Sequence, residues 1–149
     1  MLPMADDPSD MSVKLKVLTQ PMSITVTPTD VKRMSPATWA YLGDAVYELY
    51  VRSLYLLPPK RSQLYHELVV KQVRAETQAN HLRSLSPYLT SLELEILKRG
   101  RNATFGRRPK RLDAEIYQQA SSLETLVGYL YLTDPDRLRE LLGYLDITP

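Results

Sequence analysis

The sequence predicts an all-α fold. Most of the chain after residue 34 falls into segments whose apolar side chains recur every three or four positions, as on one face of a helix. Proline, glycine and good N-cap residues separate these segments, and no stretch there alternates convincingly with the period of a sheet. The 149 residues suffice for one domain with a real core, so no second folded domain is needed.

The start of the chain differs from the rest in composition. Residues 1–33 contain four prolines, many serines and threonines, and two short alternating pieces, KLKVL and SITVT. These pieces could form only a hairpin, which is marginally stable alone. We interpret residues 1–33 as a flexible N-terminal extension and residues 34–149 as the folded domain.

The first helix is predicted over SPATWAYLGDAVYELYVRSLYLL, residues 35–57. Ser35 is a good N-cap, and Pro36 suits the first helical position because its missing N–H needs no partner there. Pro58 and Pro59 should end the helix near Leu57. Apolar residues cover nearly its whole circumference, which predicts a buried, central helix with Trp39 in the core.

The second helix is predicted as one amphipathic segment over residues 62–85, with Ser62 as its cap. Its apolar stripe comprises Leu64, Leu68, Val69, Val73, Ala79 and Leu82. The opposite face carries Lys71, Arg74 and Arg83, so the helix should be half exposed. We expect both histidines, His66 and His81, at the surface.

Three further helices are signalled by their ends. Thr90 and Glu93 form a capping-box pattern that starts the third, and Gly100 should end it as a left-handed cap. Asp113 caps a long helix that runs to Leu132 and buries Leu126. Asp134 and Pro135 then restart the chain into a last short helix.

The composition limits the chemistry. There are no cysteines and only two histidines, which excludes disulfides and thiolate metal sites. Any metal ion would be held by oxygen atoms, as Mg²⁺ and Mn²⁺ prefer. No apolar stretch is long enough for a membrane span and no signal peptide is recognisable, so we expect a cytoplasmic protein without a membrane partner.

Carboxylates lie inside two of the most apolar helices. Asp44 and Glu48 interrupt the first helix, and Glu124 interrupts the long one. Gly43 and Gly128 stand beside these acids, and since glycine weakens a helix, they hint that the two helices approach closely there. Converging carboxylates repel, and a divalent cation would remove the repulsion and act as a Lewis acid.

An ion pair is the commoner explanation for a lone acid on an apolar helix. Arg52 or Arg74 could supply the cation, and spacing alone favours this alternative over a metal site. On the same grounds Glu48 is more often a rim residue than a ligand.

A basic segment precedes the long helix. Residues 98–111 hold seven of the nineteen lysines and arginines and none of the seventeen acids, although the net charge of the chain is only +2. Gly100, Gly106 and Pro109 predict an exposed loop. Such a loop is more often merely solvated, but it is also a local positive site that could bind an anionic partner.

Three segments resemble the ribonuclease III family in the right order. AYLGDAVYELYVR resembles its signature helix, and LETLVGYLYL resembles its second acidic helix. RGRNATFGRRPK with the helix after it resembles the Mini-ribonuclease III subgroup, which has the catalytic domain without a double-stranded-RNA-binding domain. The resemblance covers about residues 35–144.

The resemblance implies a homodimeric endoribonuclease with the all-α ribonuclease III endonuclease-domain fold. Such an enzyme uses Mg²⁺, with Mn²⁺ as a possible substitute, to cut double-stranded RNA, here a 23S ribosomal RNA precursor during its maturation. Asp44 and Glu124 match the family's catalytic, metal-binding acids. Glu76 matches a further acid of some relatives, and with Glu48 it is a possible secondary acid.

Two positions depart from the larger family members. Ala40 stands where they have a glutamate, and Ser121 where they have an aspartate. Two protein carboxylates hold one Mg²⁺ comfortably and a second only with help from phosphate and water, so the number of metal ions stays open. Because these two acids are absent, the sequence leaves open an alternative, a helical module that binds RNA without cutting it.

RNA binding should use spaced cations, because A-form RNA is contacted mainly at phosphates and 2′-hydroxyls. The candidates lie on the second helix and in the basic segment. They are Lys71, Arg74, Lys98, Arg99, Arg101, Arg107, Arg108, Lys110 and Arg111.

Overall fold

The computed structural model describes residues 24–103 and 113–147. These two ranges contain seven α-helices and no strand, so the predicted all-α fold is confirmed. The helices are α1 Pro28–Arg33, α2 Pro36–Leu54, α3 Ser62–Val73, α4 Ala75–Leu85, α5 Ser91–Gly100, α6 Ala114–Thr133 and α7 Pro135–Gly143. Within the same ranges, no helix is both long and apolar enough to cross a membrane.

Helix α6 is the centre of the fold. It packs against α1, α2, α4, α5 and α7, and its longest contact is with α2. Trp39 of α2 and Leu126 of α6 are each only 1 % exposed, which confirms both as core residues. Because α6 is surrounded on most sides, even its polar residues Ser122 and Thr125 are buried.

The predicted helix starts are largely confirmed. They could be predicted because a cap residue lies only a few positions from the backbone groups that it satisfies. The Ser35 hydroxyl accepts a hydrogen bond from the Thr38 backbone N–H at 3.3 Å. Thr90 and Glu93 form the reciprocal capping box, with hydrogen bonds of 3.2 and 2.9 Å. Asp113 and Asp134 cap α6 and α7 through their side chains.

The predicted second helix is wrong in two respects. Ser62 is its first helical residue, and the N-cap is Arg61, whose side chain makes no capping hydrogen bond. The helix also breaks at Arg74, where the backbone is extended. Two side chains after the break replace lost helical partners, because Thr77 Oγ1 donates to the Lys71 carbonyl at 2.6 Å and the Gln78 amide donates to the Val73 carbonyl at 2.8 Å.

Three other details differ from the sequence predictions. Helix α2 ends at Leu54, one turn before the prolines. Gly100 is the last helical residue of α5, and its backbone is not left-handed. Its Cα lies against the side chain of Thr125, which leaves no room for a Cβ atom at this position. His81 is buried and shares a 3.2 Å hydrogen bond with Gln72, whereas His66 is exposed as expected.

The folded domain begins earlier than residue 34. Residues 28–33, which the sequence assigned to the flexible extension, form α1. Thr27 and Asp30 build a reciprocal capping box around its start, with hydrogen bonds of 2.9 and 3.0 Å. Val31 is 3 % exposed and belongs to the main hydrophobic core, so α1 is part of the domain. Residues 1–23, including KLKVL, lie outside the described residues.

Shortening Val31 to alanine should therefore destabilise the protein. Val31→Ala removes two buried methyl groups, and we expect the free energy of unfolding to fall by about 1–2 kcal/mol. Urea unfolding followed by circular dichroism measures the change, with Thr29→Ala, at an exposed position of the same helix, as the control. Equal stability of the two variants would mean that α1 does not contribute to the core.

Candidate active site

Helices α2 and α6 touch backbone to backbone where the two glycines meet. A Cβ atom on Gly43 would lie 1.7 Å from the carbonyl oxygen of Glu124 and 2.7 Å from the backbone nitrogen of Gly128. A Cβ atom on Gly128 would lie 1.8 Å from the carbonyl oxygen of Trp39. All three distances are inside van der Waals contact, so only glycine fits at either position. This confirms the close approach that the sequence suggested.

The crossing brings Asp44 and Glu124 to one place, since Asp44 follows Gly43 and Glu124 faces it. The two carboxyl groups differ in exposure, because Glu124 is half-buried whereas Asp44 is exposed at the edge of α2. The prediction of a helix buried around nearly its whole circumference was therefore wrong at Asp44. The exposed face of α2 contains it, and the buried face contains Ala40, Gly43 and Tyr47.

Electrostatics reflect this convergence. Burial, and secondly the charge of Asp44, raise the pKa of Glu124 to about 8. Partial desolvation, and secondly the charge of Glu48, raise the pKa of Asp44 above its ordinary value. The shift of Glu124 shows that the charge of Asp44 acts on it, and both shifts mean that the surroundings do not compensate the charge of either carboxylate.

The cations that could have neutralised these acids are engaged elsewhere. Arg52 pairs with Glu48 at 3.1 Å, one turn along α2. Arg74 directs its Nε towards Thr77 at 3.4 Å. Across residues 24–103 and 113–147, no side chain forms an ion pair or hydrogen bond with the carboxylate of Asp44 or Glu124. In this part of the chain, Asp44 and Glu124 are therefore not neutralised by an ion pair with an arginine or lysine.

The donor set suits one hard divalent cation. Two carboxylates supply oxygen ligands and negative charge, and Mg²⁺ or Mn²⁺ commonly takes one or two carboxylates with water and phosphate oxygens completing its shell. Among the described residues, no group of three or more histidine, cysteine, aspartate or glutamate side chains is arranged to bind a metal. The acidic pair thus fits a cation that is shared with a phosphate-bearing substrate.

The other candidate acids lie near the pair or elsewhere. Glu48 is one turn from Asp44, but its ion pair with Arg52 turns it towards the surface. Glu76 is half-buried in the first turn of α4, a helix that packs against α6. Ala40 and Ser121, where larger family members have acids, lie on the two crossing helices, α2 and α6, and both are buried.

Five of the nine candidate RNA-binding residues lie in the described part of the chain, and all five are exposed. They are Lys71, Arg74, Lys98, Arg99 and Arg101. The end of α5 is fixed against α6, because Ser122 Oγ donates to the Leu97 carbonyl at 2.9 Å. Arg107, Arg108, Lys110 and Arg111 lie outside the described residues.

Tyr47 is a residue near the site that was not among the candidates from the sequence. It is 1 % exposed, one turn after Asp44, and its hydroxyl donates to the Gln72 carbonyl at 3.1 Å. Burial is the main cause that raises its pKa, and the charge of Glu124 contributes. Its position one turn from Asp44 on the same helix was the available signal.

Comparisons with known proteins agree with this geometry. The family description "Ribonuclease III domain" matches residues 37–135. A protein named Mini-ribonuclease 3 from Synechococcus sp. is 56 % identical, covering 83 % of this chain and 88 % of its own. A protein of the same name from Synechocystis sp. is 54 % identical, covering 78 % and 81 %.

A solved structure shares the fold. The crystal structure of protein FN1578 from Fusobacterium nucleatum superposes with a TM-score of 0.67 at 25 % identity, covering 74 % of this chain and 91 % of that one. The family match includes both helices of the crossing and both acids. The chain therefore belongs to the ribonuclease III family, in the group of the Mini-ribonuclease 3 proteins, and is an endoribonuclease.

Proposed function

We propose that this endoribonuclease cuts double-stranded RNA with the help of Mg²⁺ in the cytoplasm, and that its natural substrate is a 23S ribosomal RNA precursor. The observation that carries the metal dependence is the acidic pair, two convergent carboxylates without a cationic partner among the described residues. The ribosomal substrate rests on the family resemblance of the three sequence segments. Incubation of the protein with a 23S precursor transcript and with an unrelated RNA duplex tests it, and equal cleavage of the two would argue against this substrate.

The two carboxylates of the acidic pair, Asp44 and Glu124, differ in exposure and so in the role that we propose for each. Asp44 is exposed at the edge of α2 and can reach a phosphate bound at the surface, whereas Glu124 is held deeper against the crossing. A divalent cation bound by both would supply a Lewis acid and an activated water for attack on the phosphodiester. No covalent nucleophile is needed, in keeping with a chain that contains no cysteine.

The RNA surface that we propose combines two groups of cations. Lys71 and Arg74 lie at the end of α3, and Lys98, Arg99 and Arg101 lie at the end of α5. Exposed lysines and arginines fit A-form RNA because its phosphates and 2′-hydroxyls lie along a wide, shallow groove. Affinity should then fall steeply with salt.

We also propose that the active enzyme is a homodimer. Tyr41, on α2 and three residues before Asp44, is 68 % exposed, an unusual position for a large aromatic side chain beside a catalytic acid. A two-fold interface there would place one acidic pair on each strand of the duplex. Sedimentation equilibrium in dilute solution measures the mass, and a monomer that cleaves at full rate would exclude the dimer.

Substitution of Asp44 should separate binding from cleavage. Asp44→Asn removes one anionic ligand at an exposed position, so we expect the fold and RNA binding to persist while cleavage falls about a thousandfold. Long double-stranded RNA is incubated with Mg²⁺ or with a chelator, and single-stranded RNA of the same sequence is the substrate control. Glu48→Gln is the matched variant, which should lose less than about tenfold because Glu48 is engaged with Arg52. Cleavage that survives chelation or Asp44→Asn excludes the proposed mechanism.

Reversing charge at the end of α5 should weaken RNA binding without changing the acidic pair. For Arg99→Glu with Arg101→Glu we expect binding to weaken at least about tenfold, with a shallower salt dependence. Fluorescence anisotropy with a labelled duplex at several salt concentrations measures both. Lys32→Glu, at an exposed position of α1, is the control for a general loss of positive charge. An unchanged affinity would remove α5 from the RNA surface.

A further inference from the structure

The glycine crossing is closer than helix packing alone requires. Helices that pack through side chains keep their axes 8–10 Å apart, typically, and tolerate alanine at the contact. Here each glycine faces main-chain atoms of the other helix, namely the Glu124 carbonyl opposite Gly43 and the Trp39 carbonyl opposite Gly128. Main chain cannot swing aside as the end of a flexible side chain can. The contact therefore fixes the separation of two backbones rather than of two side chains.

The acidic pair is attached directly to this contact. Glu124 is itself the residue whose backbone touches Gly43, and Asp44 is the neighbour of Gly43 in sequence. A short aspartate comes from one helix and a longer glutamate from the other, so the span between their carboxyl groups depends on the distance between the backbones. No hydrogen bond from another described residue sets either carboxylate in place. The positions of the two carboxylates are therefore set by the contact between the α2 and α6 backbones.

We infer that Gly43 and Gly128 are positioning residues, which set the distance between the Asp44 and Glu124 carboxylates and so the affinity of the site for a divalent cation. This inference rests on the proposed metal-dependent function. An alanine at position 43 must separate the helices by about 1.5–2 Å, since ordinary contacts of a Cβ atom begin at 3.4 Å. One added methylene lengthens a side chain by about 1.5 Å, so a longer acid could span the wider gap.

The test is a double-mutant cycle on cation binding. Mn²⁺ is titrated into the full-length protein, free Mn²⁺ is measured by electron paramagnetic resonance, and the rise in melting temperature is recorded alongside. We expect Gly43→Ala alone and Asp44→Glu alone each to weaken Mn²⁺ binding about tenfold or more. Combined, they should bind Mn²⁺ more tightly than either single variant, because the longer acid compensates for the wider separation. Gly143→Ala, with nothing within 4 Å of its added carbon, is the control and should bind as the unmodified protein does.

The outcomes are distinguishable. If the two substitutions weaken binding additively, the glycines act only on folding and the inference is wrong. If Gly43→Ala does not fold, Gly128→Ala opens the same crossing from the other helix and takes its place. Asp44→Glu alone needs no glycine variant, and unchanged Mn²⁺ affinity there overturns the inference, because the separation would not be narrowly set. If the unmodified protein binds no Mn²⁺ at all, the metal mechanism under the proposed function fails, and the inference fails with it.

Discussion

Replacing Glu124 by glutamine should abolish RNA cleavage and at the same time stabilise the metal-free protein. Glutamine keeps the size of the side chain but cannot ionise, so one of the two anionic ligands that we propose for the cation is lost. We expect the cleavage rate to fall about a thousandfold. The free energy of unfolding without metal should rise, because the buried charge and its repulsion from Asp44 disappear.

The gain in stability should depend on pH in a defined direction. The pKa of Glu124 is about 8 in the folded protein and 4.5 ordinarily. Between these values the folded state holds a proton that the unfolded state has lost, so the stability of the unmodified protein falls as the pH rises. Glu124→Gln lacks this loss. The difference in the free energy of unfolding between Glu124→Gln and the unmodified protein should be absent near pH 4.5. Above pH 8 it should be about 1–3 kcal/mol, a range that allows for solvent screening of a half-buried group.

Thermal or urea unfolding at about pH 5 and about pH 8.5, with a chelator present, measures this difference. Adding Mg²⁺ should reverse the order, because the cation stabilises only the protein that binds it. A variant that is inactive and also less stable at both pH values would have lost cleavage by unfolding, and Glu124 would then be structural. A variant that cleaves normally would remove Glu124 from the active site.

The parts of the fold that the sequence predicts are local. Ser35, the Thr90 and Glu93 pair, Asp113 and Asp134 were identified because a cap lies within three residues of the backbone groups it satisfies. The break at Arg74 was missed because neither proline nor glycine causes it. Its released carbonyls are satisfied by side chains five and six residues further on, a pattern with no sequence signature.

The close approach of α2 and α6 was predicted for the same reason. The glycines gave a local sign of close helix approach, and this was enough to pair Asp44 with Glu124. The exposure of Asp44 was not predictable, because it depends on which side of α2 is covered by helices far away in the chain. The pairing of Arg52 with Glu48 was readable from the sequence, because the two residues have the i, i+4 spacing of an ion pair on a helix.

Removing Arg137 should cause one of the largest losses of stability in the described part of the chain. Its guanidinium holds both oxygens of Glu93, from Nε at 2.8 Å and from Nη2 at 2.9 Å, and Nη2 also donates to the Tyr88 carbonyl at 2.8 Å. The Glu93 side chain is 5 % exposed. Arg137→Met would leave that carboxylate buried without its cation, and we expect the free energy of unfolding to fall by about 3 kcal/mol.

The sign of the pH dependence follows from the same contact. The hydrogen bond from Arg137 is the main cause that holds the pKa of Glu93 below its ordinary 4.5. The pair therefore stabilises the folded state above about pH 4.5, and this contribution is lost as the pH falls through the lowered pKa. Arg137→Met should lack this acid-sensitive part, and urea unfolding between about pH 3 and pH 7 measures it.

Two comparison variants separate this pair from ordinary surface charges and from catalysis. Adding Glu93→Gln to Arg137→Met should recover part of the lost stability, because the unpaired buried charge is removed. Arg139 has a side chain as little exposed as that of Arg137, 18 %, but its partner Asp136 is 83 % exposed and stays hydrated when the pair is broken, so Arg139→Met should cost less than about 1 kcal/mol. Because the Glu93–Arg137 pair joins α5 to α7 and includes neither Asp44 nor Glu124, the two acids proposed for catalysis, Arg137→Met protein that remains folded should still cleave RNA and bind Mn²⁺. Loss of Mn²⁺ binding in that folded variant would instead mean that the geometry of the α2–α6 crossing depends on the packing of α5 and α7 against α6.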